Sequence, residues 1–455
     1  MSDKNSEPVM LPTSYKPELY TTTKWDTTLG LDYSEFHKPY PKTPHHQYVH
    51  HQFPPLFKNT KVISHYDIEG KGDGFQLAKQ GDYVYYCHFF SAGLSVIDVK
   101  DPTKPEAVAF IPTGSRLCWS IKCRVIDNIL VIANQYMGGG FSPRKYALPP
   151  PALPRAGPNE PVQGGVKIYD VSKPAEPKLL SFWKTGGWNK REGVTGGVHR
   201  FWYDGHYAYL SSTLPGYAGA VFQIVDLLDP KDPQEVSRFW MPGQWTEGGE
   251  RGDGGGGFHH IIAQGNRAYG AVSNLGGAII DISNIKRPTL IKSFEMDGTR
   301  THPNHTFLPI KDRKFAIMDH EMRHGWMLDI SNEMRPYVIS MFPYPPKELL
   351  ERGYGWPWGP SLHNIHENCP GSDSYRSDDR IYTACGAAGL RIYDVSDPYR
   401  IEEIGYYVPG TPKVYYDPRG PEWQGMDVNE VWVDKKGIMY ISQYNNGLEI
   451  VEFTG

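Results

Sequence analysis

The sequence is poor in cysteine and has no long apolar segment. Its 455 residues include five cysteines, and so sparse and odd a set does not suit a disulfide scaffold. No stretch reaches the ~18 consecutive apolar residues of a membrane-spanning helix. The N-terminal sequence, Met-Ser-Asp-Lys-Asn-Ser-Glu-Pro, has neither the basic nor the apolar part of a signal peptide. These absences predict a cytoplasmic protein with no membrane partner.

The chain also lacks an excess of charge of either sign. Lys and Arg number 47 against 51 Asp and Glu, which gives a net charge of −4 with neutral histidines. Proteins that bind nucleic acid or an anionic membrane surface usually carry a basic excess or a basic tract. We therefore expect no nucleic-acid partner.

Turn-forming and aromatic residues are abundant instead. There are 48 Gly and 39 Pro, and aromatic residues make up 13% of the chain. Because Gly and Pro interrupt helices, a bundle of long helices is disfavoured. The aromatic side chains offer ample surface for burial, which argues against a disordered chain.

One short pattern recurs along the chain: a strand-like apolar run, an acidic residue and another apolar residue. The first copy is Leu-Ser-Val-Ile-Asp-Val, ending at Val99, and the last is Leu-Glu-Ile-Val-Glu-Phe, ending at Phe453. The acidic residues, spaced 48 to 72 positions apart, are Asp98, Asp170, Asp226, Asp281, Asp329, Asp394 and Glu452. Regular repetition of one supersecondary unit is typical of propellers and related arrays.

Each unit offers four strand-like stretches, and a polar turn follows the acidic residue. Seven such units predict an all-β, seven-bladed β-propeller over residues 58–455. The last unit has three strands of its own. We expect residues 61–66, Lys-Val-Ile-Ser-His-Tyr, to supply the fourth strand of the last blade and so close the ring without open sheet edges. Residues 1–57 have no clear period and are predicted to be an N-terminal extension on the ring or on a neighbouring subunit.

These runs resemble the LVIVD-repeat family of propeller proteins. Residues 96–102, Val-Ile-Asp-Val-Lys-Asp-Pro, and residues 392–398, Ile-Tyr-Asp-Val-Ser-Asp-Pro, show its pattern of apolar-apolar-Asp-Val followed by Asp-Pro. The resemblance covers roughly residues 60–455 and implies the propeller fold. It implies no particular chemistry, because propellers host many functions.

Histidines occur at one equivalent point of the first strand in units three to six. They are His199, His259, His305 and His363. The same point falls near Phe75 in unit one, residues 119–121 in unit two and Asn429 in unit seven. The innermost strands of a propeller line its central channel. Because side chains alternate between the two faces of a strand, all four imidazoles should face the channel if one of them does. Imidazole is the commonest metal ligand and suits iron, copper, nickel or zinc better than calcium or magnesium. We expect a transition metal on the axis; the alternative is a set of unrelated buried histidines bonded to backbone groups.

Four histidines on inner strands are similar in geometry to the iron site of the carotenoid cleavage oxygenases, which are seven-bladed propellers. The sequence around the histidines does not follow the motifs of that family. The likeness implies that all four histidines are ligands and that the metal is iron. Because the four come from consecutive units, one of them could instead be catalytic, and zinc, copper or manganese are the alternative metals. It also implies non-haem iron oxygenase chemistry.

Two further histidines are candidates for catalysis. His302 precedes a proline in a loop over the channel, where it could replace His305 as a ligand or act as a general base. His366 lies three residues beyond His363. In a regular strand the two side chains would face opposite sides, whereas a bend in the strand would place them on the same side.

Carboxylates near the same level complete the candidate catalytic set. Metal-bound imidazoles usually donate their second N–H to a carboxylate, a carbonyl or water. Glu367 and Glu430 are the first candidates for this supporting or catalytic role, and Asp319 and Glu321 form another pair. The alternative for each is a solvated or turn-capping acid.

Two other histidine patterns are predicted to be unrelated to metal binding. His320-Glu321-Met322-Arg323-His324 matches the H-E-x-x-H zinc-protease pattern, which requires a helix. The segment lies between two predicted strands, so we interpret the match as chance. By strand alternation His260 should point into the sheet packing, and we expect it to be structural.

Long loops rich in Trp are predicted on the face from which the histidines enter. They carry Trp188, Trp245, Trp356, Trp358 and Trp423. Long loops in a compact domain often form lids or binding loops. These side chains could enclose a small apolar or aromatic substrate, or form a homo-oligomer interface together with the N-terminal extension.

The sequence thus predicts a metal-dependent enzyme with its metal on the propeller axis and a small-molecule substrate. Non-haem iron oxygenase chemistry comes first, and a metal-assisted lyase, hydratase or hydrolase is the alternative. A non-catalytic interaction scaffold is the alternative from a different class.

Overall fold

The computed structural model of the chain describes residues 53–89, 91, 93–114, 118–136, 164–185, 196–252, 256–296, 304–321, 325–343, 361–411, 427–444 and 446–455. Within these ranges the regular structure consists of 29 strands and one short 3-10 helix at Ile68–Gly70. In the same ranges no helix is long and apolar enough to cross a membrane. The prediction of an all-β protein is confirmed.

The strands follow the chain in antiparallel groups of four. The first strands are β3 (Gly74–Gln80), β7 (Cys118–Ile126), β11 (Gly197–Tyr203), β15 (Phe258–Gln264), β19 (Asn304–Ile310), β23 (Asn364–Ile365) and β27 (Val428–Val433). The second strands are β4 (Tyr83–His88), β8 (Ile129–Tyr136), β12 (Tyr207–Thr213), β16 (Arg267–Val272), β20 (Phe315–His320), β24 (Arg380–Ala384) and β28 (Ile438–Gln443). The third strands are β5 (Gly93–Asp98), β9 (Gly165–Asp170), β13 (Ala220–Asp226), β17 (Gly276–Asp281), β21 (Trp326–Asp329), β25 (Leu390–Asp394) and β29 (Gly447–Phe453). The fourth strands are β6 (Glu106–Pro112), β10 (Lys178–Lys184), β14 (Gln234–Phe239), β18 (Thr289–Glu295), β22 (Tyr337–Met341) and β26 (Glu402–Val408).

Two N-terminal strands complete the last two groups. β2 (Thr60–Tyr66) pairs antiparallel with β29, with Thr60 opposite Phe453, and supplies the fourth strand of the last group. β1 (Leu56–Lys58) pairs with β26 and adds a fifth strand to the sixth group. Residues 1–52, most of the predicted extension, lie outside the described part of the chain.

The first strands of successive groups contact one another in chain order, and β27 of the last group contacts β3 of the first. Two neighbouring groups even share one sheet, because Gly197 of β11 pairs with Gln135 of β8. Side chains from distant parts of the sequence therefore meet along these strands.

The acidic residues of the repeat act as turn formers. Each Asp stands at the end of a third strand, and its Oδ1 accepts a hydrogen bond from the backbone N–H two residues later, at 2.8 to 2.9 Å in six groups. Such Asx turns are a standard way for Asp to direct the chain out of a strand. The most conspicuous sequence signal is therefore structural.

Neighbouring groups are also joined by a recurrent hydroxyl bond. A fourth-strand serine donates from Oγ to a carbonyl in the turn of the next group: Ser64 to Pro102, Ser181 to Pro230 and Ser340 to Pro398 at 2.6 Å, and Ser237 to Ile285 at 2.7 Å. These bonds repeat with the turns, so the turns also fix the spacing of the groups.

Burial increases from the fourth strand of a group to the first. All seven residues of β19 are buried, whereas β22, the fourth strand of the same group, is exposed or half-buried along its length. Polar and charged residues on the first strands are therefore placed deep in the protein, where they need partners.

Candidate metal centre

A β-bulge interrupts the first strand at the same point in six groups. In β11, for example, Val198 pairs with Ser212 and Phe201 pairs with Leu210, so His199 and Arg200 together face one residue of β12. The residues at the bulges are Phe75 and Gln76, Ser120 and Ile121, His199 and Arg200, His259, His305 and Thr306, and Asn429. A bulge breaks the alternation of a strand and re-aims its side chains, which is why such features are common beside active sites.

The four predicted ligand histidines form a chain of ring contacts. Ring centroids lie 4.6 Å apart for His199 and His259, 4.2 Å for His259 and His305, and 4.6 Å for His305 and His363. The Nε2 atoms of His199 and His259 are 2.9 Å apart. The structure therefore brings all four imidazoles together.

The tightest donor group consists of two of these histidines and a carboxylate. Ligand atoms of His259, His305 and Glu321 all lie within 4.8 Å of one another, and all three residues are buried. His259 Nε2 is 3.4 Å from Glu321 Oε1. Two imidazoles and one carboxylate are a donor set that binds zinc or iron in proteins. His259, His305 and Glu321 are thus a candidate metal site, which we call the metal centre.

The two imidazoles are neutral at neutral pH, as metal binding requires. Burial and the nearby cations of Arg200 and Lys122 hold the pKa of His259 well below its usual value. Burial, His259 and Arg200 do the same for the pKa of His305.

A second carboxylate stands behind the metal centre. Asp319 Oδ2 lies 3.8 Å from His305 Nδ1, and Oδ1 accepts a hydrogen bond from the backbone N–H of Thr306. Burial raises the pKa of Asp319 well above its usual value. A carboxyl group in this place can orient the ring of His305, as outer carboxylates do for metal-bound imidazoles.

Two arginines enclose Glu367 just beside the histidines. Arg124 and Arg200 each donate from Nη2 to one oxygen of Glu367, and His260 Nε2 lies 3.1 Å from Glu367 Oε1. Burial alone would raise the pKa of Glu367, but Arg200, His260 and Arg124 outweigh it and hold that pKa well below its usual value. We call Arg124, Arg200, His260 and Glu367 the charge network. His260 thus has a charged partner, although alternation assigned it to sheet packing.

Arg200 links the charge network to the metal centre. Its Nη1 donates to Asn364 Oδ1 at 2.7 Å and lies 3.1 Å from both ring nitrogens of His305. The side chain is fully buried. Arg200 therefore fixes the position of His305 and adds positive charge beside the metal centre.

Glu430 and His366, both predicted to be catalytic, occupy different surroundings. Glu430 is buried and accepts from Gln76 Nε2 at 3.0 Å, and burial raises the pKa of its carboxyl group. His366 Nδ1 accepts from the N–H of Val433 at 3.2 Å, and Nε2 is 2.8 Å from the carbonyl oxygen of Tyr375. Both ring nitrogens of His366 are thus bonded to backbone groups, while Glu430 remains a candidate proton donor.

Several predicted site residues lie outside the described part of the chain. They are His302, Trp188, Trp356, Trp358 and Trp423. Of the predicted loop tryptophans, Trp245 is described, and it is 40% exposed. In the H-E-x-x-H segment, His320 ends strand β20, so Glu321 reaches the metal centre from a strand end and not from a helix.

Lys122 is a site residue that the sequence reasoning missed. It lies on β7 next to the bulge, is 1% exposed, and has its Nζ 4.3 Å from the centroid of the Phe75 ring. Burial and, after it, the charge of Arg200 lower the pKa of Lys122 from 10.5 to about 7. The only signal in the sequence was its place one residue after the point equivalent to the histidines.

The LVIVD-repeat family model matches two segments, residues 71–111 and 255–296. Each segment spans one complete four-strand group, β3 to β6 and β15 to β18. The chain therefore carries LVIVD repeats in at least these two places.

Among solved structures, the chain is similar to a candidate 6-phosphogluconolactonase from Bacteroides uniformis and to the periplasmic gluconolactonase PpgL of Pseudomonas aeruginosa. Both are 10% identical to it, with a TM-score of 0.49. The first alignment covers 72% of this chain and 83% of that chain, and the second covers 74% and 85%. No curated protein matches the chain.

Proposed function

We propose that the chain is a seven-bladed β-propeller enzyme that hydrolyses a small organic substrate at a transition metal held by His259, His305 and Glu321. The seven blades are the seven four-strand groups. Contacts between successive first strands, with β27 against β3, support a ring, and the pairing of β2 with β29 supports its closure in the last blade.

The metal centre carries this proposal, because its donor atoms lie within 4.8 Å of one another. Three protein ligands leave coordination positions open for substrate and water, as in catalytic sites and unlike structural ones. A bound zinc or related ion would supply Lewis-acid chemistry there. His199 and His363 flank this set as ring neighbours of His259 and His305.

The cations around the metal centre favour hydrolysis over oxygenation. Arg200 lies 3.1 Å from the ring nitrogens of His305, and Lys122 is also buried. Buried positive groups stabilise the negative charge that develops on oxygen when a carbonyl group is attacked. The buried carboxyl group of Glu430, with its raised pKa, is the candidate that gives up a proton to the leaving group. The oxygenase hypothesis depended on four equivalent histidine ligands, whereas the tightest group contains only two of them.

An iron oxygenase is the second candidate, because non-haem iron enzymes also use two histidines and one carboxylate. The two functions differ in the metal they require. Protein stripped of metal and reloaded with zinc should hydrolyse model esters or lactones. If only protein reloaded with iron(II) is active, and that activity consumes oxygen, the hydrolase proposal is wrong.

Metal content is the first test. Untagged protein purified from metal-supplemented cells should hold about one transition-metal ion per chain, as measured by mass spectrometry of the elements. His259→Ala and Glu321→Gln should each empty the site. His206→Ala is the matched control, since His206 is partly exposed and bonded to Asp226, and it should keep the metal. Wild-type protein that binds no transition metal would leave a non-catalytic scaffold as the better explanation.

A further inference from the structure

The blades that lack histidines contribute aromatic side chains instead. Phe75 and Phe89 come from the first group, Trp119 from the second and Tyr444 from the last. Their ring centroids lie 4.2 Å apart for Phe89 and Trp119, 5.0 Å for Phe89 and Tyr444, and 5.4 Å for Phe75 and Phe89. Trp119 is the half-buried member, and the others are buried. We call Phe75, Phe89, Trp119 and Tyr444 the aromatic wall.

The aromatic wall adjoins the metal centre through one histidine. The Phe75 ring meets the His363 ring edge-on at 6.5 Å, and His363 in turn lies 4.6 Å from His305. Phe75 also occupies the bulge of β3, the position that His305 occupies in β19. The channel at this level is thus lined by imidazoles from four groups and by aromatic rings from the other three.

Lys122 stands at the border between these two halves. Its Nζ lies over the Phe75 ring at 4.3 Å. The carboxylates of Glu430, Glu321 and Glu367 act on its charge, but among the described residues none of them forms a salt bridge with it. A buried cation without an ionic partner is costly. The other three buried lysines of the described residues have polar partners: Lys71 lies 3.9 Å from Glu69 Oε2, Lys79 pairs with Asp373 at 2.5 Å, and Lys167 donates to the carbonyl of Thr113. Among the buried lysines of the described residues, Lys122 is therefore the one with neither a hydrogen bond nor a salt bridge, which leaves its Nζ able to take a direct partner.

We propose that Lys122 and the aromatic wall form the substrate-binding half of the site and that the substrate is an aromatic carboxylate. The ring of the substrate packs against the half-buried face of Trp119, and its carboxylate binds Lys122. The remainder of the substrate then extends past His363 towards the metal centre. This inference rests on the proposed function for the place where bonds are cleaved, whereas the binding itself requires no metal.

The test compares three probes on the full-length protein: phenylacetate, its uncharged analogue phenylacetamide, and acetate. Binding is measured by titration calorimetry on protein stripped of metal with a chelator, and again after reloading with zinc. A hydrogen bond between charged groups contributes enough that phenylacetate should bind about tenfold more tightly than phenylacetamide. Acetate, which has no ring, should bind more weakly than either.

Three variants assign the preference to named side chains. Lys122→Met should reduce the affinity ratio of carboxylate to amide to about one. Lys122→Arg should keep a preference for the carboxylate, because the charge is retained. Trp119→Ala should weaken phenylacetate and phenylacetamide by a similar factor. Because the ratio is measured within each variant, a partly unfolded preparation does not change its meaning. Lys184→Met is the matched control, since Lys184 also lies over a phenylalanine ring but is exposed.

The proposal is overturned if wild-type protein does not bind phenylacetate, if it binds phenylacetamide as tightly as phenylacetate, or if Lys122→Met keeps the preference for the carboxylate. Lys122 would then only support the Phe75 ring. Failure of the metal centre gives a different result: the carboxylate preference persists in chelated protein, and reloading with zinc produces no hydrolysis.

Discussion

Replacing Glu367 by Gln tests whether this carboxylate is catalytic or structural. Its two oxygens are each bonded to a guanidinium group, of Arg124 and Arg200, and the side chain is 2% exposed. Because those arginines hold the pKa of Glu367 well below its usual value, it stays ionised and is poorly suited to carry a proton. Glu367→Gln leaves two buried guanidinium groups facing an uncharged amide.

The expected cost is large. Removing one partner of a buried ion pair lowers the free energy of unfolding by about 3–5 kcal/mol, and here two cations lose their partner at once. Adding Arg200→Met to Glu367→Gln removes one of the two unpaired charges. The double variant should therefore be no less stable than Glu367→Gln alone, although Arg200→Met by itself also costs stability.

Urea unfolding followed by tryptophan fluorescence measures these differences. Glu235→Gln is the matched control, because Glu235 pairs with Arg238 at 2.6 Å on the surface. Losing this pair should lower the free energy of unfolding by less than about 1 kcal/mol. A structural role for Glu367 is refuted if Glu367→Gln lowers the free energy of unfolding no more than Glu235→Gln does. It is also refuted if the loss in the double variant equals the sum of the losses in Glu367→Gln and Arg200→Met. Unchanged stability with a complete loss of activity would instead give Glu367 a catalytic role.

Two further predictions concern the joints between groups. Burial raises the pKa of Glu449, whose Oε1 accepts from Tyr407 at 3.0 Å, from 4.5 to about 7. Its protonated form is therefore favoured in the folded state. Below pH 4.5 this residue contributes up to about 3 kcal/mol to the free energy of unfolding, and this contribution is lost as the pH rises through 7. Urea unfolding of Glu449→Gln should show a flatter pH dependence across that window, and an unchanged profile would contradict this assignment. Ser64→Ala removes the 2.6 Å bond to the Pro102 carbonyl and should cost about 1 kcal/mol in the same assay; no measurable loss would mean that this bond does not hold the groups together.

The all-β architecture and its repeated four-strand groups were largely predictable because their signals are local and repeated. The acidic residue that ends each third strand is visible in the sequence, and in the structure it accepts the hydrogen bond of the turn, as Asp98 does for Lys100. The N-terminal strand over residues 61–66 was predicted from its likeness to other fourth strands, and it lies within β2. Regular alternation and turn chemistry suffice for such features.

The candidate site was predictable only in part, because a bulge changes which side chains share a face. Alternation aligned His199, His259 and His305, and the structure places all three at bulges. Strand alternation gave no reason to expect that Arg200, the neighbour of His199, would also contact His305. One extra residue reverses the alternation, and periodicity alone does not show where it is inserted.

Glu321 was predicted only as a possible supporting carboxylate and not as a ligand, and Lys122 was not predicted at all, for a different reason. Glu321 follows the last residue of β20, and its distance to His259 depends on how two groups lie beside each other. Lys122 has a residue type that is almost always exposed, and only the inward position of β7 makes it a buried cation. In both cases the decisive information is tertiary.

The bulges separate two tasks within one repeat. The extra residue of these bulges stands in the first strand, whereas the serines that join neighbouring groups stand in fourth strands. Substitutions at these positions can therefore change the buried side chains of the first strands without changing the serine bonds between groups. We expect chains with the same acidic turns but other residues at the bulges to share this architecture and carry out different reactions.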